Sequence, residues 1–403
     1  MTYINMSCGQ TFLSPRALQN MNRQVYYPIY YPGYYEEEIE TVNMLKEIYN
    51  TKNDLLIITG TGTYGLEAGF RSLFEPEEKV LVINTGIFGE VGKCLLEIIG
   101  VVPIDFKVSY GEEVNLKAVR EVLEKTPNII GLFVVHDETT TGAIQPVEEL
   151  GKIASEFDLL YTVDAISSIG GVELNVDKCG IDLCFGSAQK CINGPQGLVT
   201  VSVSPKAWNK IKKRKSLNTS LSLDLEVWKR YQYIKVEKSY EWWQKGGEEP
   251  KFISKAPHEV SLPATLVLGL KGALEDIFEE GLENVFKRHK IAGKAVRQAI
   301  DALGLERVTK NKKIVSNMVT VVRLPNGIHE RDFREVMLKK YSIAIGNGEI
   351  GQDNVRIGTM GIAASYKYVL PTIFAIGNTL EHFGVSVDKR EALKAASEVF
   401  ESL

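Results

Sequence analysis

From about residue 40 to residue 205, short apolar runs alternate with stretches in which apolar residues recur at helical spacing. Leu55–Thr59 (LLIIT), Lys79–Asn84 (KVLVIN), Ile129–Val135 (IIGLFVV), Leu159–Asp164 (LLYTVD) and Asp182–Phe185 (DLCF) predict buried strands. Between them, Gly65–Phe74, Val91–Ile99, Leu116–Glu124 and Val147–Phe157 predict helices. Strands that alternate with helices imply an α/β fold whose mostly parallel sheet is flanked by helices on both faces. In such sheets ligands gather at the carboxyl ends of the strands, so chemistry is expected there.

The pattern changes after residue 205. Asn209 to Pro257 is polar, with Trp228, Trp242, Trp243 and a Gly246-Gly247 turn, and predicts a surface excursion with short helices. A long helical stretch from about Pro263 to Leu303 is expected to cross to a second domain. Strands at Ile314–Leu324, Ala344–Ile345 and Asn354–Ile357, set between helices, predict a smaller C-terminal α+β domain. The resulting division is an N-terminal arm (1–20), a large domain (21–275) and a small domain (276–403). Tyr26, Tyr27, Tyr30, Tyr31, Tyr34 and Tyr35 crowd one short stretch near the start, a composition suited to a packed segment rather than a free tail.

Composition narrows the function classes. The chain has 403 residues, 44% hydrophobic and 24% charged, enough for two or three domains and a large core. Its net charge of -4 leaves no electrostatic footprint for nucleic acid or an anionic membrane. The densest basic stretch, Lys206–Lys215, reads as a solvated helix face. Cys8, Cys94, Cys179, Cys184 and Cys191 form neither an even disulfide framework nor a CxxC pair, so reduced thiols in a cytoplasmic protein are expected. The N-terminus lacks a secretory pattern, and no apolar stretch reaches the ~18 residues of a membrane helix. Five scattered histidines show no metal-ligand spacing, and no metal is expected.

Three strand ends carry candidate chemistry. The first is Gly60-Thr61-Gly62-Thr63-Tyr64-Gly65, after a strand and opening a helix, where exposed amides suit a phosphate. The string matches GxGxxG, but the next strand ends Val82-Ile83-Asn84-Thr85, without the acidic residue a dinucleotide ribose requires. A dinucleotide, a plain turn and another phosphate ligand remain as readings, the last favoured. The second is Asp164, ending an apolar strand, which is either a helix cap or a carboxylate held for a cofactor. Pyridoxal 5'-phosphate (PLP) needs such a carboxylate to keep its ring nitrogen protonated. The third is Gly186-Ser187-Ala188-Gln189-Lys190, 26 residues beyond Asp164. A lysine in a small-residue turn after a buried strand sits where a desolvated amine can form a Schiff base.

On VDAISSIGG (Val163–Gly171) and GSAQKCINGPQG (Gly186–Gly197), the chain resembles the class V, fold-type I PLP aminotransferases. Within them it is most similar to the alanine–glyoxylate, serine–pyruvate and ureidoglycine–glyoxylate enzymes, over about Leu55 to Gly361. The resemblance implies that Lys190 carries PLP, Asp164 pairs with the ring nitrogen, and Gln189, Thr61, Gly62 and Thr63 serve the phosphate. It places Phe88, in Gly86-Ile87-Phe88-Gly89, as a ring stacked on the cofactor. Thr139, in His136–Gly142 (HDETTTG), falls near the phenolic oxygen, and Ser168 is a further small polar residue of the pocket. Arg356, in Val355-Arg356-Ile357-Gly358, aligns with an arginine that grips the substrate carboxylate, a task a planar guanidinium performs bidentately. The family's shared dimer site is also implied, with Ser261 reaching a partner subunit's phosphate.

Two departures bear on the substrate. Cys8-Gly9-Gln10 stands where the family has a Pro-Gly-Pro-like loop, with Gly9 at the substrate position. His258-Glu259-Val260-Ser261 replaces a Tyr-His-His-Thr segment. The expected activity is transfer of an amino group from a small amino acid to a 2-oxo acid, glyoxylate or pyruvate. The alternative is a 2-aminoethylphosphonate–pyruvate aminotransferase, whose ETTTG string appears at Glu138–Gly142. A desulfurase or lyase is disfavoured because Gln189, not histidine, precedes the lysine and no cysteine follows Cys191. A purely binding PLP protein has no need for Arg356.

Overall fold

A computed structural model describes residues 3–25, 32–218, 220–246, 260–348 and 352–402. The opening strand, β1 (Ile4–Met6), belongs to a second sheet considered below. The main sheet collects β2 (Asp54–Thr59), β3 (Lys79–Asn84), β4 (Val102–Lys107) and β5 (Ile129–Val135). After a two-strand hairpin, β6 (Asp137–Glu138) and β7 (Ala143–Ile144), it is completed by β8 (Leu160–Asp164), β9 (Leu183–Ser187) and β10 (Leu198–Val203). The order is β2-β10-β9-β8-β5-β3-β4, with β9, β8, β5, β3 and β4 mutually parallel. The predicted parallel α/β sheet is therefore present, and its strands shift from the expected ranges by a residue or two.

Two strands of this sheet escape the apolar-run reading. β4 (VPIDFK) is an edge strand, and none of its residues is fully buried. β10 (LVTVSV) is fully buried and runs antiparallel to both β2 and β9. It is the return limb of a wide hairpin: Val199 opposes Ser187, and Ala188 N–H donates to Leu198 O at 3.2 Å. Lys190 thus lies in the connection between two buried strands, clamped at both ends.

The helix after β2 spans Gly62–Leu73, starting three residues before the apolar pattern suggests. It presses unusually close to the sheet. A Cβ at Gly65 would lie 2.4 Å from Val199 Cγ2, and one at Gly69 would lie 2.5 Å from Phe185 Cζ. The third glycine of the GxGxxG string is thus a packing requirement, and it sets how near the helix N-terminus comes to the strand ends.

The polar excursion also differs from expectation. Helices Leu225–Arg230 and Glu237–Lys245 flank a π-helical turn, Tyr231–Val236, that seals the open edge of β2. Gln232 Oε1 accepts Ile57 N–H at 3.2 Å, and Tyr233 Oη accepts Leu55 N–H at 3.0 Å. Paired this way, the edge offers no template for another strand. Tyr34 and Tyr35 are buried in the helix Pro32–Tyr49, whereas Tyr26, Tyr27, Tyr30, Tyr31 and Gly247 lie outside the described residues.

The expected long helix is two, Ala264–Glu280 and Leu282–Ala302, separated at Gly281. The first packs Val267, Leu270, Leu274 and Ile277 into the main core. The second passes from that core at Val285 to a second one at Ala292, Val296 and Ile300. The second core lies against β11 (Glu306–Arg307), β12 (Val319–Arg323), β13 (Ile343–Asn347) and β14 (Asn354–Gly358), in the order β1-β13-β14-β12-β11. β1 pairs in parallel with β13, so the start of the chain is built into the C-terminal sheet. No helix among the described residues is long and apolar enough to cross a membrane.

The close helix–sheet approach gives a direct test. Gly65→Ala forces Val199 or the helix to move, and such overpacking should cost about 1–3 kcal/mol. Urea unfolding of the apoprotein measures it; an unchanged midpoint would mean that the helix is free to shift.

Candidate active site

The carboxyl ends of β2, β3, β5, β8 and β9 converge on a cleft of about 160 Å³. Thr61, Gly62, Thr63, Phe88, Asp164, Gln189 and Lys190 all line it. A larger surface groove, about 720 Å³, runs along the helix Ile87–Ile98 and includes Lys107 and Tyr110. The converging polar groups are in the smaller cleft.

Each wall follows from local structure. Thr61 is the N-cap residue of Gly62–Leu73, but its side chain makes no capping bond, leaving first-turn amides for a ligand. Phe88 stands in the first turn of Ile87–Ile98, and the buried Glu138 carboxylate accepts the Phe88 amide at 3.0 Å and the Gly89 amide at 3.4 Å. Glu138 also accepts from the Thr140 amide (3.0 Å) and hydroxyl (2.6 Å). This carboxylate fixes the Phe88 wall. Gln189 is anchored by the Ser187 hydroxyl, which donates to its Oε1 at 2.5 Å.

Asp164 is 3% exposed, and one of its oxygens accepts Ile166 N–H at 2.9 Å. Burial raises its carboxyl to about 7 while the Ile166 amide and the Lys190 charge pull it down in part. An acid so placed ionises readily only when a cation faces it. Lys190 donates from Nζ to Cys8 O at 2.5 Å. Its pKa is lowered, first by desolvation and then by the positive charge of Arg356, against upward pulls that include Asp164. A lowered amine is the nucleophilic form required of a covalent cofactor lysine.

The remaining expected residues divide by position. Arg356, on β14, donates from Nη1 to Thr139 Oγ1 at 3.3 Å, and from Nε to Asn347 O at 2.5 Å. The turn of the β6–β7 hairpin thereby meets the arginine of the second sheet. Ser168 is buried behind the cleft, where its hydroxyl donates to Ala165 O at 3.2 Å and bonds His136 Nδ1 at 2.8 Å. His136 is itself pushed down to about 4 by burial, so it is neutral. The neighbouring Ser167 lines the cleft instead. Gly9 is exposed and outside the cleft lining, although its neighbour Gln10 bonds Gln196, which does line it. Ser261 is exposed and away from this chain's own cleft, its carbonyl accepting from Thr59 Oγ1 at 3.3 Å. His258 and Glu259 lie outside the described residues.

Sequence reasoning missed Asp137, Gln196, Ser167 and Ile166 as lining residues and Glu138 as the support of Phe88. Asp137 and Glu138 were legible as acids directly after a strand end. Gln196 had no local signal, since the fold of the N-terminal segment brings it into use.

The donor set fits PLP in each of its parts: helix amides and Gln189 for a phosphate, a flat aromatic wall, a raised carboxyl for a ring nitrogen, and a desolvated lysine. Fold and cleft together define a fold-type I PLP enzyme. Comparison narrows this further. The sequence model of aminotransferase class V matches residues 35–360, and the chain belongs to that family. It is similar to an uncharacterised aminotransferase of Methanocaldococcus jannaschii, 35% identical over 89% of this chain and 88% of that one. The crystal structure of ureidoglycine–glyoxylate aminotransferase from Bacillus subtilis matches with a TM-score of 0.89 at 27% identity, covering 100% of this chain and 98% of that one. That of pyridoxamine–pyruvate aminotransferase from Mesorhizobium loti matches at 0.90 and 26%, covering 99% and 97%. The protein is a PLP-dependent aminotransferase.

The raised carboxyl of Asp164 links stability of the apoprotein to pH. The unfolded chain releases this proton near its ordinary 3.8, the folded chain only at about 7. Between those values the folded state holds the extra proton, so Asp164 withdraws stability as pH rises, by about 1.4 kcal/mol per unit. Asp164→Asn removes that liability. Relative to wild type, the variant apoprotein should gain stability from about pH 5 to pH 7 and then run parallel. Denaturant unfolding across that range checks it, and a difference that does not vary with pH would refute the buried-acid reading.

Proposed function

We propose that the enzyme moves an amino group from a small amino acid to glyoxylate or pyruvate, as the names of its relatives suggest. The observation that carries this reading is the grouping of Lys190, with its lowered pKa, and Asp164, with its raised one, in the lining of one cleft, with Arg356 of β14 near enough for its charge to act on Lys190. PLP, when bound, supplies the electron sink that accepts the pair left by the departing α-proton.

Each residue then has a physical task. The amides at Thr61–Thr63 and the Gln189 side chain hold the phosphate, and Phe88 covers the ring. Asp164 keeps a proton on the ring nitrogen, because a pyridinium facing it favours the charged carboxylate. Thr139 would serve the cofactor's phenolic oxygen, and Ser168 stiffens the wall through His136. Lys190 would hold the cofactor and, once its amine is free, would take the proton from the substrate α-carbon. Arg356 grips the α-carboxylate common to donor and acceptor, and Gly9 follows the Cys8 carbonyl that Lys190 meets.

We also read the two cores as large and small domains, and the enzyme as a homodimer. The dimer reading rests on Ser261, which is exposed and takes no part in lining its own chain's cleft, as a residue serving a partner's phosphate would be. The five free thiols, four of them buried, fit a cytoplasmic protein.

Two measurements test the reading. Borohydride reduction followed by peptide mapping should fix the cofactor on Lys190; label on another lysine would sink the assignment. Arg356→Lys keeps the charge but loses the fork, and should cost about 2–5 kcal/mol in kcat/KM for both half-reactions. Harm confined to the acceptor half-reaction would point instead to a donor without a carboxylate, such as 2-aminoethylphosphonate.

A further inference from the structure

The β6–β7 hairpin docks on the chain leading into β12, and the seam is built from backbone. Ile144 N–H donates to Ile314 O at 2.7 Å, Ser316 N–H donates to Gly142 O at 2.9 Å, and Ala143 is bridged to Val315. Within this seam lies a cavity of about 10 Å³, room for one atom-sized ligand. It shares no lining residue with the reaction cleft. Arg297, from the helix Leu282–Ala302, and Arg307, on β11, both line it, and no acidic side chain does.

The two guanidiniums are not equally provided for. Arg307 holds Asp301 in a fork, Nε to Oδ1 at 2.8 Å and Nη2 to Oδ2 at 3.1 Å. Arg297 has only neutral acceptors, Ser316 O at 2.6 Å and Asn317 Oδ1 at 3.4 Å. Two cations thus share one carboxylate, and one positive charge is left over beside the cavity. Desolvation lowers the Arg297 pKa to about 10, and the charge of Arg307 adds to this against the pull of Asp301. The hydroxyls divide in the same way. Thr309 Oγ1 donates to Thr141 O at 2.7 Å, and Thr141 Oγ1 to Glu138 O at 3.2 Å. Thr320, on β12, also lines the cavity; it is 4% exposed, and its Oγ1 has no hydrogen-bond partner. A buried donor of this kind is costly unless something accepts from it.

An excess cation, an unused buried donor and space for one atom together define the group that belongs here. We infer that the cavity binds a single-atom anion, chloride, between the guanidiniums of Arg297 and Arg307 and the Thr320 hydroxyl. The space excludes polyatomic anions such as phosphate or a carboxylate. A water molecule fits but leaves the Arg297 charge uncompensated. The hairpin on one side of the site carries Thr139, which accepts from Arg356, and the other side belongs to the sheet that bears Arg356. The anion therefore ties the hairpin to the second sheet.

The test uses the PLP-loaded enzyme at constant ionic strength, with sodium chloride replaced stepwise by sodium gluconate. Chloride should raise the urea unfolding midpoint along a saturating curve, and bromide should do the same. Thr320→Val removes the donor at nearly equal shape. It should weaken chloride binding about tenfold or more, yet match or exceed the wild-type midpoint in gluconate. Arg297→Gln should abolish the chloride dependence, and both variants should keep wild-type affinity for PLP. Crystals grown in bromide should show its anomalous signal between Arg297 and Arg307; this result and Thr320→Val keep the test readable if Arg297→Gln folds poorly. A wild type indifferent to chloride would mean that water fills the cavity, and overturns the inference. A chloride dependence that survives Thr320→Val and Arg297→Gln overturns it as well. Loss of that surviving dependence in Arg356→Lys would place the anion on the substrate arginine instead.

Discussion

Charge held out of water at the carboxyl ends of the strands is the constraint on which the rest of this structure turns. Asp164, Glu138 and Asp137 are each at least 97% out of solvent, a few residues from the apolar interiors of β5 and β8. An isolated ion in such a place is prohibitive, so each must be neutralised, bonded or paired. Glu138 is bonded, by four donors from two segments. Asp164 has one backbone donor and a raised carboxyl, so it is half provided for. Neither carboxylate oxygen of Asp137 has a hydrogen-bond partner. This graded provision separates what the fold uses for itself from what it keeps for ligands.

The same constraint explains why the surroundings are so rigid. Asp164 cannot drift, because β8 is paired on both sides, to β5 and to β9. Its neighbour on β9, Phe185, packs edge-on against Phe70 at 6.0 Å, and Phe70 meets Phe133 of β5 at 5.2 Å. Phe185 is also the residue that leaves no room for a side chain at Gly69. The packing that seats the helix Gly62–Leu73 is therefore continuous with the packing that seats Asp164. Thr61–Thr63 and Asp164 are thus seated on one core.

Much of this was legible before any coordinates. Strands buried on both faces appear as uninterrupted apolar runs, and β2, β3, β5, β8 and β9 were found that way. Their ends pointed to Thr61, Asp164 and Lys190. The reading failed where tertiary context overrides local pattern. β4 carries Pro103, Asp105 and Lys107 because it is an edge, and β10 alternates Thr and Ser with Val although both faces are covered. The polar excursion looked like surface because its role, sealing the β2 edge through Gln232 and Tyr233, depends on side-chain hydrogen bonds that have no period. Ser168 was recognised as a pocket residue, yet the structure turns Ser167 toward the cleft and Ser168 toward His136. Two consecutive serines cannot be told apart without the turn that orients them.

The last constraint is relative placement of the two halves of the site. Arg356 belongs to one sheet and Lys190 to the other, and misplacement of a reacting group by about 1 Å can cost two orders of magnitude in rate. Asn193, three residues beyond Lys190, joins them. Its Nδ2 donates to Thr11 Oγ1 at 2.8 Å and to Phe12 O at 2.9 Å, while its Oδ1 accepts Ile362 N–H at 2.7 Å. Ile362 closes the turn that follows β14, and Gly361 before it has φ +57 and room for no Cβ, since one would lie 1.9 Å from Asn193 Oδ1. The turn is held from its other side by neutral His289, whose Nε2 accepts Gly361 N–H at 2.9 Å. Burial keeps that imidazole uncharged, to about 3, so the acceptor persists across the physiological range. One amide thus bonds the N-terminal segment and the turn that follows the strand bearing Arg356 while standing in the turn of Lys190, so the placement of Arg356 relative to Lys190 is set within a single hydrogen-bonded frame.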